Sequence, residues 1–106
     1  MSILLCNAFS LNMLSNLAAT IKTEELSIPQ VKEKLMAGFE SGMGHSTEVV
    51  SNILGMEIPM NRTTNKIEDG DEVIVCQYTG PRLPEGAIEL PEGAKMVFIK
   101  VTVTYG

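Results

Sequence analysis

The stretch SIPQVKEKLMAGFESG, residues 27–42, gives the clearest prediction of local structure in the chain, because it carries both start and stop signals of a helix. Ser27 is placed to cap the helix, Gln30 stands three residues later as in a capping box, and Pro29 is tolerated in the first turn. One apolar face is predicted from the spacing of Ile28, Val31, Leu35 and Phe39. Gly42 is expected to end this helix.

A second helix is predicted directly after the first, over residues 46–54. Its apolar positions are Val49, Val50, Ile53 and Leu54, which the helical period places toward a core. Gly55 is expected to end it.

Apolar runs on both sides of these helices predict strands. The predicted strands are SILLC (2–6), AATIKTEEL (18–26), a short one within GMEIPMNR (55–62), one at about 72–78 after a turn at Asp69-Gly70, and KMVFIKVTVTY (95–105). In the last of these, Val97, Ile99, Val101 and Val103 alternate onto one face. The order of elements predicts an α/β fold in a single small domain, residues 1–106, with a mixed four- to five-stranded sheet flanked by helices.

Composition narrows the class of protein. The net charge of −5 argues against a coat for double-stranded nucleic acid, which needs many basic residues. No apolar run approaches the length of a membrane span, and the first residues lack a basic leader, so we expect no membrane partner and a cytoplasmic location. Cys6 and Cys76 lie in apolar runs, which favours buried reduced thiols over a disulfide.

The sequence offers no familiar metal or cofactor motif. A single histidine and two separated cysteines cannot form a zinc site of the usual spacing, and no phosphate-binding glycine loop follows a strand. Asp69, Asp71 and Glu72 cluster at a turn, where solvated acidic residues are common. We therefore predict no metal and no cofactor.

His45, the only histidine, precedes the predicted second helix in the segment GMGHSTEVV (42–50). Backbone amides at a helix N-terminus attract anions, and Gly42 and Gly44 would let a ligand approach the backbone. An imidazole beside a bound phosphate can stabilise its charge or donate a proton to a leaving oxygen. The alternative is that His45 is only an N-cap or a packed polar residue.

Other polar side chains also have either a functional or a purely structural interpretation. Asn7, Ser10 and Asn12 follow the first strand, where they either line a ligand site or bond their own turn. Glu85 either orients an imidazole or is an exposed turn residue. Between His45 and residue 91 the basic residues are Arg62, Lys66 and Arg82, and the two arginines are the preferred phosphate ligands.

Four motifs in this order resemble the viral and mobile-element ring nucleases that inhibit type III CRISPR systems. They are NAFSLNML (7–14), GHSTEVVSNILG (44–55), NR (61–62) and RLPEG (82–86). The resemblance runs from Leu5 to the final strand, although residues 18–41 carry no matching motif. That family cleaves cyclic tetra-adenylate, the second messenger that arms type III ancillary nucleases.

The resemblance assigns a role to each motif. It implies that His45 is the general acid and that Glu85 supports it. Because LPEG occurs twice, at 83–86 and 90–93, Glu92 is the alternative to Glu85. The pair Arg82-Leu83 before Glu85 favours Glu85. The implied substrate-binding residues are Asn7, Ser10, Asn12, Gly44, Arg62, Gln77 and Arg82.

The implied activity is that of a metal-independent ring nuclease in the cytoplasm of a prokaryotic host. The ribose 2′-hydroxyl attacks the neighbouring phosphorus, and the products are linear di-adenylates ending in 2′,3′-cyclic phosphate. A ring with two-fold symmetry also implies a homodimer with one His45 per subunit. The alternatives are a protein that sequesters the ring without cutting it and a structural or DNA-associated viral accessory protein, which the acidic charge disfavours.

Overall fold

In the computed structural model, which describes residues 3–61, 66–81 and 89–105, five strands and two helices form one α/β unit. The strands are β1 (Ile3–Cys6), β2 (Ala19–Leu26), β3 (Glu40–Gly42), β4 (Glu72–Thr79) and β5 (Lys95–Tyr105). The helices are α1 (Ile28–Met36) and α2 (Thr47–Leu54), and a short 3-10 helix spans Leu11–Met13. The predicted fold class is confirmed.

The sheet is mixed, in the order β2-β5-β4-β1-β3. β1 lies between β3 and β4 and runs parallel to both, with Cys6 opposite Gly42 on one side and Val75 on the other. β5 is antiparallel to β4 and β2. The carboxyl ends of β1, β3 and β4 therefore lie at the same edge of the sheet, where α/β proteins bind ligands.

Both helices pack on one face of the sheet. α1 and α2 contribute Val31, Leu35, Val49, Val50 and Leu54 to a buried cluster. The sheet side of that cluster consists of Leu5, Leu26, Ile74, Cys76 and Phe98. Phe98 lies on the face of β5 opposite Val97, Ile99, Val101 and Val103, and it is a core residue because the helices cover that face.

The opposite face is covered by the short 3-10 helix and by irregular chain instead of α-helices. Met13, Leu14 and Ile67 pack over Leu4, Cys6, Val73, Val75, Val101 and Val103. The Ile67 amide donates to the Met13 carbonyl at 2.7 Å, which ties the covering segments together. Two buried faces explain why β1 and β4 are almost continuously apolar.

The first helix is shorter than predicted. The expected capping box is present, with Ser27 Oγ accepting from the Gln30 amide, but the helix ends at Met36. Gly38, with φ of 114°, turns the chain out of the helix, so Gly42 does not end it. Ile28 is 43% exposed, and Phe39 lies beyond the helix although it packs against the same core.

Residues 40–42 form β3, which the sequence did not predict. The short strand expected within residues 55–62 is absent from the described part, 55–61. Those residues instead run beside β3: the Asn61 amide donates to the Met43 carbonyl and Asn61 Nδ2 to the Ser41 carbonyl, both at 2.8 Å. α2 begins and ends as expected, at Thr47 and Leu54 with Gly55 following.

Candidate functional site

The candidate site lies where β1 and β3 end. Asn7 follows β1, and Met43, Gly44 and His45 connect β3 to α2. Because Cys6 and Gly42 are paired neighbours, the two connections begin side by side.

Asn7 fastens these two connections to each other. Its Oδ1 accepts from the Gly44 amide at 2.8 Å and from the His45 amide at 3.3 Å, and its Nδ2 donates to the His45 carbonyl at 3.1 Å. Both ends of the Asn7 side chain are therefore bonded to the backbone on either side of His45. The sequence placed Asn7 in the site but did not indicate this role.

The His45 side chain is exposed, and one of its ring nitrogens is engaged. Nδ1 lies 2.8 Å from Ser46 Oγ. Nε2 is the other nitrogen of the ring. Since Ser46, not His45, is the N-cap residue of α2, His45 is neither a helix cap nor a packed core residue.

Ser46 has an unusual backbone for a cap residue, with φ of 61° and ψ of 23°. It is the one non-glycine residue with positive φ in the described ranges. Its side chain makes no capping bond to the first turn of α2, which also carries Glu48. The His45 amide is not available to a bound anion, because it donates to Asn7 Oδ1 at 3.3 Å.

Ser10 and Asn12 form a separate group beyond β1. Ser10 Oγ accepts from the Asn12 amide at 3.2 Å and caps the 3-10 helix. The Asn12 carbonyl accepts from Lys66 Nζ at 2.7 Å. Ser10 thus bonds its own turn, as the alternative interpretation expected, and Lys66 is a cation that sequence reasoning passed over in favour of the arginines.

Gln77 is exposed near the end of β4. Cys6 is paired with Val75, so Gln77 lies two residues beyond the last paired residue of β1, at the same sheet edge as Asn7. Glu92 is exposed in the turn before β5.

Three residues assigned by the resemblance, Arg62, Arg82 and Glu85, lie outside the described residues. Asn61, the residue before Arg62, is held against the β3 connection by the two bonds described above. Sequence reasoning gave Asn61 no role of its own, and only the NR motif marked its position.

The two buried cysteines are unsuited to act as nucleophiles, because their thiols stay protonated at neutral pH. Burial raises the pKa of the Cys6 thiol to about 11, against the smaller lowering effect of a hydrogen bond with the Ala8 backbone. Burial, with a smaller contribution from Cys6, raises the pKa of the Cys76 thiol to about 12. In the described ranges, no three His, Cys, Asp or Glu side chains are grouped so as to hold a metal ion. No described helix is long and apolar enough to cross a membrane.

Fold and site together define a small α/β domain with a polar cluster at the carboxyl edge of a mixed sheet. Residues 3–98 match the STIV B116-like family, and the chain belongs to that family. Uncharacterized protein 26 of Sulfolobus islandicus filamentous virus (isolate Iceland/Hveragerdi) is 33% identical over 93 residues, covering 80% of this chain and 78% of that protein. B116 of Sulfolobus turreted icosahedral virus has a similar solved structure, with a TM-score of 0.80 and 27% identity, covering 96% of this chain and 99% of that one. The family is thus a viral protein family.

Proposed function

We propose that this protein is a ring nuclease that cleaves cyclic tetra-adenylate and so switches off type III CRISPR signalling. The observation that carries the proposal is the setting of His45, exposed at the sheet edge with its backbone bonded by Asn7 and its Nδ1 by Ser46. A general acid needs such a setting, because it must be both accessible to substrate and fixed in direction. The four motifs that resemble the ring nucleases add the substrate class.

In the proposed reaction a ribose 2′-hydroxyl attacks the adjacent phosphorus and loses its proton to solvent. The bond from phosphorus to the 5′-oxygen breaks, and His45 delivers a proton to that oxygen. One end of the product carries 2′,3′-cyclic phosphate and the other a free 5′-hydroxyl. Two such cuts convert the ring into two linear di-adenylates.

The remaining assigned residues would bind the ring or support the acid. Gly44 would let a phosphate approach the loop, and Gln77 stands at the same edge. The resemblance gives Arg62 and Arg82 the phosphate contacts and Glu85 the support of the imidazole. Ser10 and Asn12 would contact the ring as part of the group that also contains Lys66.

A cleavage assay tests the proposal. Purified protein and His45→Ala are incubated with radiolabelled cyclic tetra-adenylate in excess EDTA, and products are separated by chromatography. General acid catalysis contributes about 10²–10⁴-fold, so His45→Ala should lose that much rate and still bind the ring. A wild-type protein that binds the ring and leaves it intact would instead be a sequestering protein, and one that does not bind it would contradict the proposal.

A further inference from the structure

We propose that Ser46 is a positioning residue for His45, whose hydroxyl holds Nδ1 and leaves Nε2 as the nitrogen that delivers the proton. This inference rests on the proposed function and specifies which nitrogen of the His45 imidazole delivers the proton. The resemblance assigned Ser46 no role.

The first observation is the conformation of Ser46. Its φ of 61° lies in the left-handed region, where a side chain with a Cβ is unfavourable and where glycine or asparagine is usual. Strain of this kind persists only where surrounding contacts hold it, and it is concentrated at functional sites. The neighbouring contacts here are the three bonds of Asn7 to residues 44 and 45.

The second observation is a comparison within the chain, since both helices have a serine N-cap. Ser27 before α1 has extended backbone, φ −76° and ψ 162°, and its Oγ accepts from the Gln30 amide, as a cap normally does. Ser46 before α2 has left-handed backbone, and its Oγ lies against His45 Nδ1 at 2.8 Å with no capping bond. The same side chain therefore serves the helix at one site and the imidazole at the other.

A hydroxyl suits this position because it both donates and accepts hydrogen bonds. It accepts from Nδ1–H when the imidazole is protonated, before the proton leaves Nε2. It also accepts from Nδ1–H after that proton has left, because the neutral ring then keeps its remaining hydrogen on Nδ1. The contact with Ser46 can thus persist through the proton transfer, and Nε2 remains the nitrogen available to the leaving oxygen.

The test uses three substitutions at Ser46 and one control. Ser46→Ala removes the hydroxyl and keeps the backbone strain, whereas Ser46→Gly removes the hydroxyl and relieves the strain. Ser46→Thr restores a hydroxyl. Ser27→Ala makes the same chemical change at the other cap, away from His45.

In single-turnover cleavage of cyclic tetra-adenylate, we expect Ser46→Ala and Ser46→Gly to lose about tenfold in rate, roughly the equivalent of one hydrogen bond, with ring binding unchanged. Ser46→Thr keeps the hydroxyl but adds the strain of a β-branched residue at positive φ, so we expect a rate between those of Ser46→Ala and wild type. Ser27→Ala should keep the wild-type rate. If Ser46 acted only as a structural cap, Ser46→Gly would be nearly as active as wild type. That result would overturn the inference.

A second measurement needs no substrate. His45 is the only histidine, so the two imidazole nitrogen resonances in a long-range proton–nitrogen spectrum are its own. Both shifts should move toward those of the urea-unfolded chain in Ser46→Ala and Ser46→Gly, and stay in place in Ser27→Ala. Unchanged shifts in both Ser46 variants would overturn the role of Ser46, whereas a wild-type protein that leaves the ring intact would overturn the proposed function instead.

Discussion

Asn7 and Ser46 hold His45 in place, and the sequence alone does not indicate this role for either of them. A pattern of residues indicates that Asn7 follows a strand and that Ser46 precedes a helix, but it does not indicate which atoms they bond. Asn7 reaches His45 only because β1 and β3 are neighbours, and their pairing joins residues nearly forty positions apart. Ser46 has a left-handed backbone conformation and makes no capping bond to α2. The positions of these residues relative to the strand and the helix could therefore be predicted from the sequence. Their contacts could not, because they depend on tertiary structure.

Substitution of Asn7 should loosen the connection that carries His45. Asn7→Ala removes three hydrogen bonds, two from amides and one to a carbonyl, of which only that from Gly44 is partly buried. We expect a loss of about 1–2 kcal/mol in the free energy of unfolding, measured by urea titration, together with slower ring cleavage.

Asn7→Asp is the comparison variant, because one carboxylate oxygen still accepts from the two amides, whereas the other faces the His45 carbonyl with no proton to donate. It should be less destabilised than Asn7→Ala. Equal stability of wild type and Asn7→Ala would show that these bonds do not hold the loop.

The cysteines predict a dependence of stability on pH. Burial raises the pKa of Cys6 to about 11 and that of Cys76 to about 12, from 9.0 for an ordinary thiol. Above pH 9 the unfolded chain loses these protons while the folded protein retains them, so unfolding becomes easier as pH rises toward 11–12. Each thiol should lower the free energy of unfolding by about 1.4 kcal/mol per pH unit in that range, and contribute no slope below it.

Urea titrations at pH 8 to 10.5 measure that slope, and Cys76→Ala serves as the control because one thiol is removed. The variant should show a shallower decline than wild type. Parallel declines would mean that Cys76 is not the group responsible.

At the scale of the elements, the sequence predicted long regular segments well and short ones poorly. α1 begins at the capping box and β5 follows the alternation of valines, because these signals are local. β3 has three residues, Glu-Ser-Gly, with no strand preference of their own, and it forms because β1 offers a parallel edge. The strand expected within residues 55–62 is absent from residues 55–61, where Asn61 bonds the β3 segment through its side-chain amide as well as its backbone.

The turn after β4 allows a sharp test of local packing. Gly80 has φ of 144°, and a Cβ added there would lie 2.8 Å from the backbone of Ala94. Gly80→Ala should therefore reduce stability by roughly 1–3 kcal/mol in thermal unfolding. Gly93 also has positive φ, 82°, but a Cβ there would meet nothing within 4 Å.

Gly93→Ala is the matched control, since it carries the strain of positive φ without the collision. It should be the milder of the two substitutions. Gly93→Ala as damaging as Gly80→Ala would mean that the backbone conformation, and not the approach of Ala94, determines the cost.

At the level of the whole molecule, a domain of 106 residues carries one His45, whereas the ring in the proposed reaction has two-fold symmetry. A homodimer would supply two equivalent acids about one axis, one for each cut. We predict a dimer in size-exclusion chromatography with light scattering at micromolar concentration. A monomer at that concentration, active at full rate, would contradict the symmetric arrangement.

The role of His45 as the general acid is tested most directly with a modified substrate. In a cyclic tetra-adenylate whose bridging 5′-oxygens are replaced by sulfur, the leaving thiolate needs no protonation. His45→Ala should be about 10²–10⁴-fold slower than wild type on the oxygen ring and nearly equal to it on the sulfur ring. An equal deficit on both rings would show that His45 does not act as the general acid. A wild-type protein that cuts neither ring would contradict the proposed nuclease activity.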